Sequence, residues 1–478
     1  MRWLLILVSA LEFCRFQAAY AWPPTYGLEL NMTSRALDIA WGDRIKKYGN
    51  TDQGQTPAAD GEHKIASEWV ESVKKKCQPD CIVTSKTGKF GFTEWKFTFP
   101  SGFAFNVSVD PATVEVQVGP WPLETWKSHQ AEIKKHLFDD PQAQGFGYVP
   151  SRGQENSAHL NIGARSGFDD DGKRFARYVA DYWQYSELGS GLLGEDSYNA
   201  PGVWLLSEKQ QAAAKQVLES VNENPRMKML DVASAIQRRV YTQSPRHTDG
   251  AEHYQSIGLK YLNDPDRLRG DSNGDMPFEL RANRNATSAE LAILQLELQE
   301  KRMTYLATLS DEPVIFELDI GQTRNKADQV SAFYLYLADM GANSEYDRFS
   351  RLLPKRLQGE RPMSFFRKKF DWTDPTMLSD LERMAPRARH SASLRGIMRE
   401  ALMDPESARS PRAAAVMKKW SELTTDLKGD PLRVVWLEIA ETPHWRVHSL
   451  IGELQLRPKG KGGFCRSFLG WLGLQAAP

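Results

Sequence analysis

Four short stretches of the chain alternate strictly between apolar and polar residues: Tyr26-Gly27-Leu28-Glu29-Leu30-Asn31, Val114-Glu115-Val116-Gln117-Val118, His159-Leu160-Asn161-Ile162-Gly163 and Phe278-Glu279-Leu280-Arg281-Ala282. Strict alternation is the period of a β-strand with one face buried. A solvated strand face usually carries Lys, Thr and Ser. These four carry Glu, Asn, Gln, His and Arg, the side chains that bind metals and phosphates. Laid side by side, such strands would bring those groups to one polar surface backed by an apolar core.

A chain of 478 residues has room for two to four domains, or for one large core with an appended helical lobe. Its 41% apolar and 26% charged residues place it among soluble globular proteins, and a formal net charge of zero points to neither nucleic acid nor an anionic membrane surface. The 14 tryptophans fall mostly on apolar faces of predicted elements and read as core, with carbohydrate stacking the alternative. At the N-terminus, Met1-Arg2, an apolar run from Trp3 to Ala10 and Ala19-Tyr20-Ala21 form the pattern of a secretory signal peptide over 1–21. The run is too short to span a membrane, and no other run of about 18 apolar residues follows. The expected product is exported, periplasmic or secreted. Cys77-Gln78-Pro79-Asp80-Cys81 closes a small loop suited to a disulfide in an oxidising compartment, leaving Cys465 unpaired. Of three N-x-S/T sequons, at Asn31, Asn106 and Asn285, the first two begin on predicted strands. A glycan there would clash with the sheet, which favours a bacterial periplasm.

Helices are expected over 34–48, 62–76, 122–138, from Asp169-Asp170-Asp171 to about Trp183, through most of 206–263, and over 288–309. The acidic triplet suits a helix N-terminus. Trp95-Lys96-Phe97-Thr98-Phe99 and the run from Phe103 to Val109 flank the turn Pro100-Ser101-Gly102, a hairpin signal, and Gly119-Pro120 ends the strand that carries Glu115. The region 321–478 is mainly helical, with strand-like stretches at 432–439 and 445–456. Hairpin-joined strands with helices to one side imply an α+β fold with a mostly antiparallel sheet over 22–320.

On a strand, residues i and i+2 point the same way, about 6.5–7 Å apart. Glu29 and Asn31, His159 and Asn161, and Glu279 and Arg281 are therefore same-face pairs. Carboxylates with neutral ligands can hold Mg²⁺ or Mn²⁺ against phosphates, and an arginine beside them can neutralise charge on a transferring phosphoryl group. Neither a thiol nor a hydroxyl nucleophile with an obvious base accompanies them, so metal-assisted phosphoryl transfer fits better than acyl-enzyme chemistry. Taken singly, each strand is equally a half-buried strand with a polar outer face. His159 would then be a hydrogen-bonded histidine, and Glu279 with Arg281 a surface pair.

The order of these motifs resembles the glutamine-synthetase-like carboxylate–amine ligases, including amidoligases and glutamate–cysteine ligases. Gly27-Leu28-Glu29-Leu30-Asn31 looks like the first-strand G-x-E-x-E of that superfamily. Glu115 before Pro120 is similar to its second acidic strand, His159-Leu160-Asn161 to its H-x-H or H-x-N strand, and Glu279-Leu280-Arg281 to its E-x-R strand before a long helix. The likeness covers roughly 25–310. It implies a curved antiparallel sheet cradling ATP and metal, with helices on the convex side, and a reaction in which a carboxylate is activated as an acyl phosphate and captured by an amine. Glu29, Glu115, His159 and Glu279 would bind metal, Asn161 and Arg281 would bind the nucleotide, and Glu279 and Arg281 would act in catalysis. The substrates would be small-molecule or peptide carboxylates and amines, with ATP as co-substrate.

Two features depart from that pattern. Asn31 stands where the family has a second acidic residue, and ATP is scarce outside the cytoplasm. The alternative is a catalytically degenerate ligase fold acting as a binding or scaffolding module in the periplasm. Other motifs carry less. Asp271-Ser272-Asn273-Gly274-Asp275 lacks the turn glycine and closing Glu of a calcium loop and reads as a surface turn. His444 and His448 lie too far apart on a strand to share a metal, and Lys459-Gly460-Lys461-Gly462-Gly463 lacks phosphate-loop spacing.

Overall fold

The computed structural model describes residues 23–48, 60–87, 93–110, 113–148, 157–184, 207–243, 255–263, 275–314, 326–353, 357–363 and Thr376. The signal segment, Asp271 to Gly274, His444, His448, the 459–463 run, Cys465 and the strand-like stretches after 430 lie outside them. The chain divides into two compact units, residues 1–322 with 347–358, and residues 323–346 with 359–478.

The first unit is α+β, built on an open sheet whose described pairings are all antiparallel. Its strands are β1 (Thr25–Ser34), β2 (Ile82–Thr87), β3 (Thr93–Thr98), β4 (Ala104–Asp110), β5 (Thr113–Pro122), β6 (Phe146–Gly147), β7 (Ser157–Gly163), β8 (Ile257–Gly258) and β9 (Pro277–Arg284). They run in the order β2-β3-β4-β5-β1-β7-β9-β8, with β6 paired to the end of β1. The four strands β2 to β5 are sequential neighbours, as hairpins dictate. Strand β1 then inserts between β5 and β7, which makes the first strand of the chain central.

Alternation decides which face is dry. Tyr26, Leu28, Leu30 and Met32 of β1, Val114, Val116 and Val118 of β5, Leu160 and Ile162 of β7, and Phe278 and Leu280 of β9 are all essentially inaccessible to water. Each such side chain contributes about 1.5–3 kcal/mol by burial. The helices α1 (Arg35–Tyr48), α2 (Asp60–Cys77), α3 (Leu123–Ser128), α4 (Ala164–Phe168), α5 (Gly172–Gln184), α6 (Glu208–Glu223), α7 (Met229–Arg239) and α8 (Ala289–Ala307) follow the apolar periodicity of the sequence. Several share the core with the sheet. Trp126 of α3 donates its indole N–H to the Tyr26 carbonyl at 2.9 Å, and the Tyr26 hydroxyl reaches the Met303 sulfur of α8. Phe168 of α4 and Phe175 and Tyr178 of α5 pack around Phe278, with ring centroids 5.6–5.8 Å apart. The helical run after α3 continues past the expected end at 138 to Ala143, through a π-helical stretch at Lys134–Asp139.

Other local expectations are sharpened. The strand carrying Glu115 does not stop at Gly119-Pro120 but continues to Pro122 through a bulge opposite Gly27. Gly119 there has φ +88°, and a Cβ would lie 2.5 Å from the Tyr26 carbonyl oxygen, so only glycine fits. The acidic triplet splits its tasks. Asp169, at φ 52°, closes α4. Asp170 pairs with Lys228 at 2.9 Å. Asp171 alone caps α5, its Oδ1 accepting from the amides of Lys173 and Arg174. Cys77 and Cys81 form a disulfide. Asn31 and Asn285 are buried, whereas Asn106 is exposed on β4, so the clash expected of a glycan there does not follow from its burial.

In the second unit, α9 (Lys326–Asp339) buries Val330, Phe333 and Leu337, and Ser331 accepts the Met363 amide at 2.9 Å. Among the described residues no helix is long and apolar enough to cross a membrane.

Candidate functional site

The polar face of β1, β7 and β9 gathers most of the residues singled out in the sequence. Register explains why. Glu29 stands opposite His159 across one edge of β1, and Asn161 stands opposite Glu279 across β7 and β9. His159 Nδ1 lies 2.7 Å from Glu29 Oε2, and the Asn161 amide N–H donates to Glu29 Oε1 at 3.0 Å. Arg281 donates to Glu279 Oε2 at 2.8 Å, in an ion pair whose side chains are 5% and 2% exposed. One ligand atom each from Glu29, His159 and Glu279 lie within 4.8 Å of one another, a group able to hold a metal ion. A register shift in the β7–β9 ladder falls at His159, between Ala158 and Leu160, as bulges often do where a side chain must be re-aimed.

Electrostatics fit that grouping. Burial pushes the Glu29 carboxyl up, but the hydrogen bond and charge of His159, the Asn161 amide and the Arg281 charge outweigh it and hold Glu29 below its ordinary value. Two carboxylates thus stand beside one guanidinium and one imidazole. Two buried polar atoms at the site have no hydrogen-bond partner among the described residues: the Asn161 Oδ1 acceptor and the Arg281 Nε donor. Leaving such groups unsatisfied costs about 1–3 kcal/mol each. One orphan suits a cation and the other an anion. The donor chemistry and these two atoms fit a dication with a phosphate beside it.

Glu115 is not in the group. It stands opposite Asn31 on β5, on the far side of β1 from β7. Its Oε1 accepts from Gln117 Nε2 at 2.5 Å and from the Ser108 hydroxyl at 3.3 Å. Asn31 is buried, and its Oδ1 accepts from the Thr113 hydroxyl at 3.3 Å. Asp275, at the end of the rejected calcium-loop motif, caps α4 through the amides of Arg165 and Ser166 and accepts from the Thr25 hydroxyl at 2.8 Å.

Gly258 joins the site without having been visible in the sequence. It pairs with Glu279 from the two-residue strand β8, and a Cβ there would lie 2.9 Å from Glu279 Oε2 and 3.2 Å from Glu279 Cβ. Glycine leaves room for the Glu279 side chain against the neighbouring strand β8. A strand of two residues has no period to detect, so only the sheet order exposes this role. No family model matches the chain, and no curated protein or solved structure matches it.

Proposed function

We propose that the polar face of β1, β7 and β9 binds a dication with a nucleoside triphosphate, and that the chain is an exported carboxylate–amine ligase of the glutamine-synthetase-like kind, using ATP and Mg²⁺ or Mn²⁺. The observation that carries this reading is the Glu29–His159–Glu279 group flanked by the orphaned Asn161 Oδ1 and Arg281 Nε. A bound dication would screen the phosphate charge and align the transferred group. Glu29 and Glu279 would supply anionic oxygens to it, His159 an imidazole nitrogen and Asn161 an amide oxygen. Arg281, held by Glu279, presents a fixed positive charge where negative charge grows on the phosphoryl oxygens. In the reaction a substrate carboxylate oxygen attacks the γ-phosphorus and ADP leaves. The amine then attacks the acyl carbon, phosphate departs, and the amine gives up a proton.

The test is a thermal-shift titration of the mature chain with Mg-ATP and Mn-ATP. Stabilisation that disappears in Glu29→Gln and falls in Arg281→Met is the expected result; no stabilisation of the wild-type chain by either complex refutes the reading. One observation favours a second reading, binding without turnover. Asn31 engages Thr113 where the family has a metal-binding acid, so the site has one carboxylate fewer. Saturable Mg-ATP or Mn-ATP binding with no ADP release in the presence of amines and carboxylates would identify that case.

A further inference from the structure

The ligand set also bears on how many ions the face can hold and of which kind. Among the described residues one group of three ligands meets the distance requirement, and the Asn161 amide borders it. A second ion needs ligands of its own. Glu115 is a candidate by type, but strand order sets it diagonally from Glu29, about 7–8 Å away with the Cβ atoms somewhat closer, and its Oε1 already accepts two hydrogen bonds. A bridging carboxylate would be the other route, since paired ions sit about 3.5–4 Å apart and share ligands. Glu279 is poorly suited to that role, because its Oε2 is committed to Arg281 at 2.8 Å. The guanidinium takes that oxygen, and its charge repels a second cation nearby.

The identity of the ion follows from the donor atoms. Mg²⁺ prefers oxygen, dehydrates reluctantly and usually keeps several waters. Imidazole nitrogen favours the transition dications. Among the described residues His159 is the nitrogen donor of that group, 2.7 Å from the carboxylate it adjoins.

We infer that this face holds a single dication per chain, and that His159 makes it a transition-metal site of the Mn²⁺–Zn²⁺ series selective against Mg²⁺. The inference rests on the cation-site reading above and narrows it in number and kind. The probe is Mn²⁺ alone, added to the full-length chain after chelation, with free Mn²⁺ followed by electron paramagnetic resonance and bound metal counted after dialysis. One Mn²⁺ per chain is expected, abolished by Glu29→Gln and unchanged by Glu115→Gln. Mg²⁺ should compete at least about tenfold more weakly than Mn²⁺, and His159→Gln, which offers an oxygen of similar reach, should shrink that preference by about tenfold or more. Circular dichroism selects the folded variants, with His159→Asn as the second choice at that position. Two or more ions per chain, loss of binding in Glu115→Gln, or a Mn²⁺-to-Mg²⁺ preference untouched by either His159 substitution overturns the inference and leaves the ligase reading standing. A folded wild-type chain that binds neither metal overturns both.

Discussion

The Glu279–Arg281 pair offers the sharpest quantitative test of how this face is built. Both side chains are almost fully buried and joined by a 2.8 Å charge-assisted hydrogen bond. Arg281→Met keeps the apolar stem and removes the charge. It leaves the Glu279 carboxylate buried, with the Glu29 carboxylate in the same cluster. Breaking a buried pair from one side costs about 3–5 kcal/mol, whereas replacing both partners by apolar groups is often neutral or better. Arg281→Met should therefore destabilise by about 3–5 kcal/mol without metal, and Glu279→Leu combined with Arg281→Met should recover most of the loss. Urea unfolding followed by tryptophan fluorescence measures both, since the core holds Trp69, Trp126 and Trp183. Metal supplies the second half of the test. Any ligand at 100 times its Kd adds about 2.7 kcal/mol. With the guanidinium gone the site is more negative, so Mn²⁺ alone should stabilise Arg281→Met more than wild type at equal concentration. Mn-ATP should do the reverse, because the phosphate loses its arginine. A cost below about 1 kcal/mol would place the pair with solvated surface bridges and refute the argument. So would equal stabilisation of both chains by Mn²⁺.

Two further outcomes follow from contacts around the site and the core. In Gly258→Ala the new Cβ would press on Glu279 at 2.9 and 3.2 Å, so stability should fall by about 1–3 kcal/mol and Mn²⁺ affinity by about tenfold, measured by the same titrations; an unchanged affinity would show that β8 does not set the carboxylate's aim. Buried His136 stacks on Phe99 at 4.5 Å, and its imidazole is held below the ordinary 6.5, chiefly by burial and then by Lys135, against the opposing pull of Asp140 and Glu132. The unfolded chain therefore takes up this proton first, so the contribution of neutral His136 is complete above about pH 6.5 and is lost as pH falls toward the lower folded value. His136→Phe should flatten the drop in urea midpoint between pH 7.5 and 5.5, and an identical drop in both chains would exclude the assignment.

Much of this architecture is legible in the chain because two periods carry it. Alternation marked β1, β5, β7 and β9 and assigned Glu29, His159, Asn161, Glu279 and Arg281 to polar faces. The 3.6-residue period marked α1, α2 and α8 to within a few residues. What periodicity cannot carry is long-range order. It says which way a side chain points from its own strand, and nothing about which strand lies alongside. Gly119-Pro120 reads locally as a stop, yet the chain tolerates it as a bulge because glycine fits against the Tyr26 carbonyl.

Strand order is what separates three glutamates of equal sequence signal. Glu29, Glu115 and Glu279 each sit in a strict alternation, and each points to the same side of the same sheet. Because β1 is central, with β7 and β9 on one side and β5 on the other, Glu29 and Glu279 converge around His159 while Glu115 is drawn toward Ser108 and Gln117. Two carboxylates that meet beside an imidazole make a group able to hold a metal ion. The third, held by two neutral donors, orders the neighbouring strands instead. The chemistry of this face is thus decided less by which residues the strands carry than by the insertion of the first strand between the fifth and the seventh.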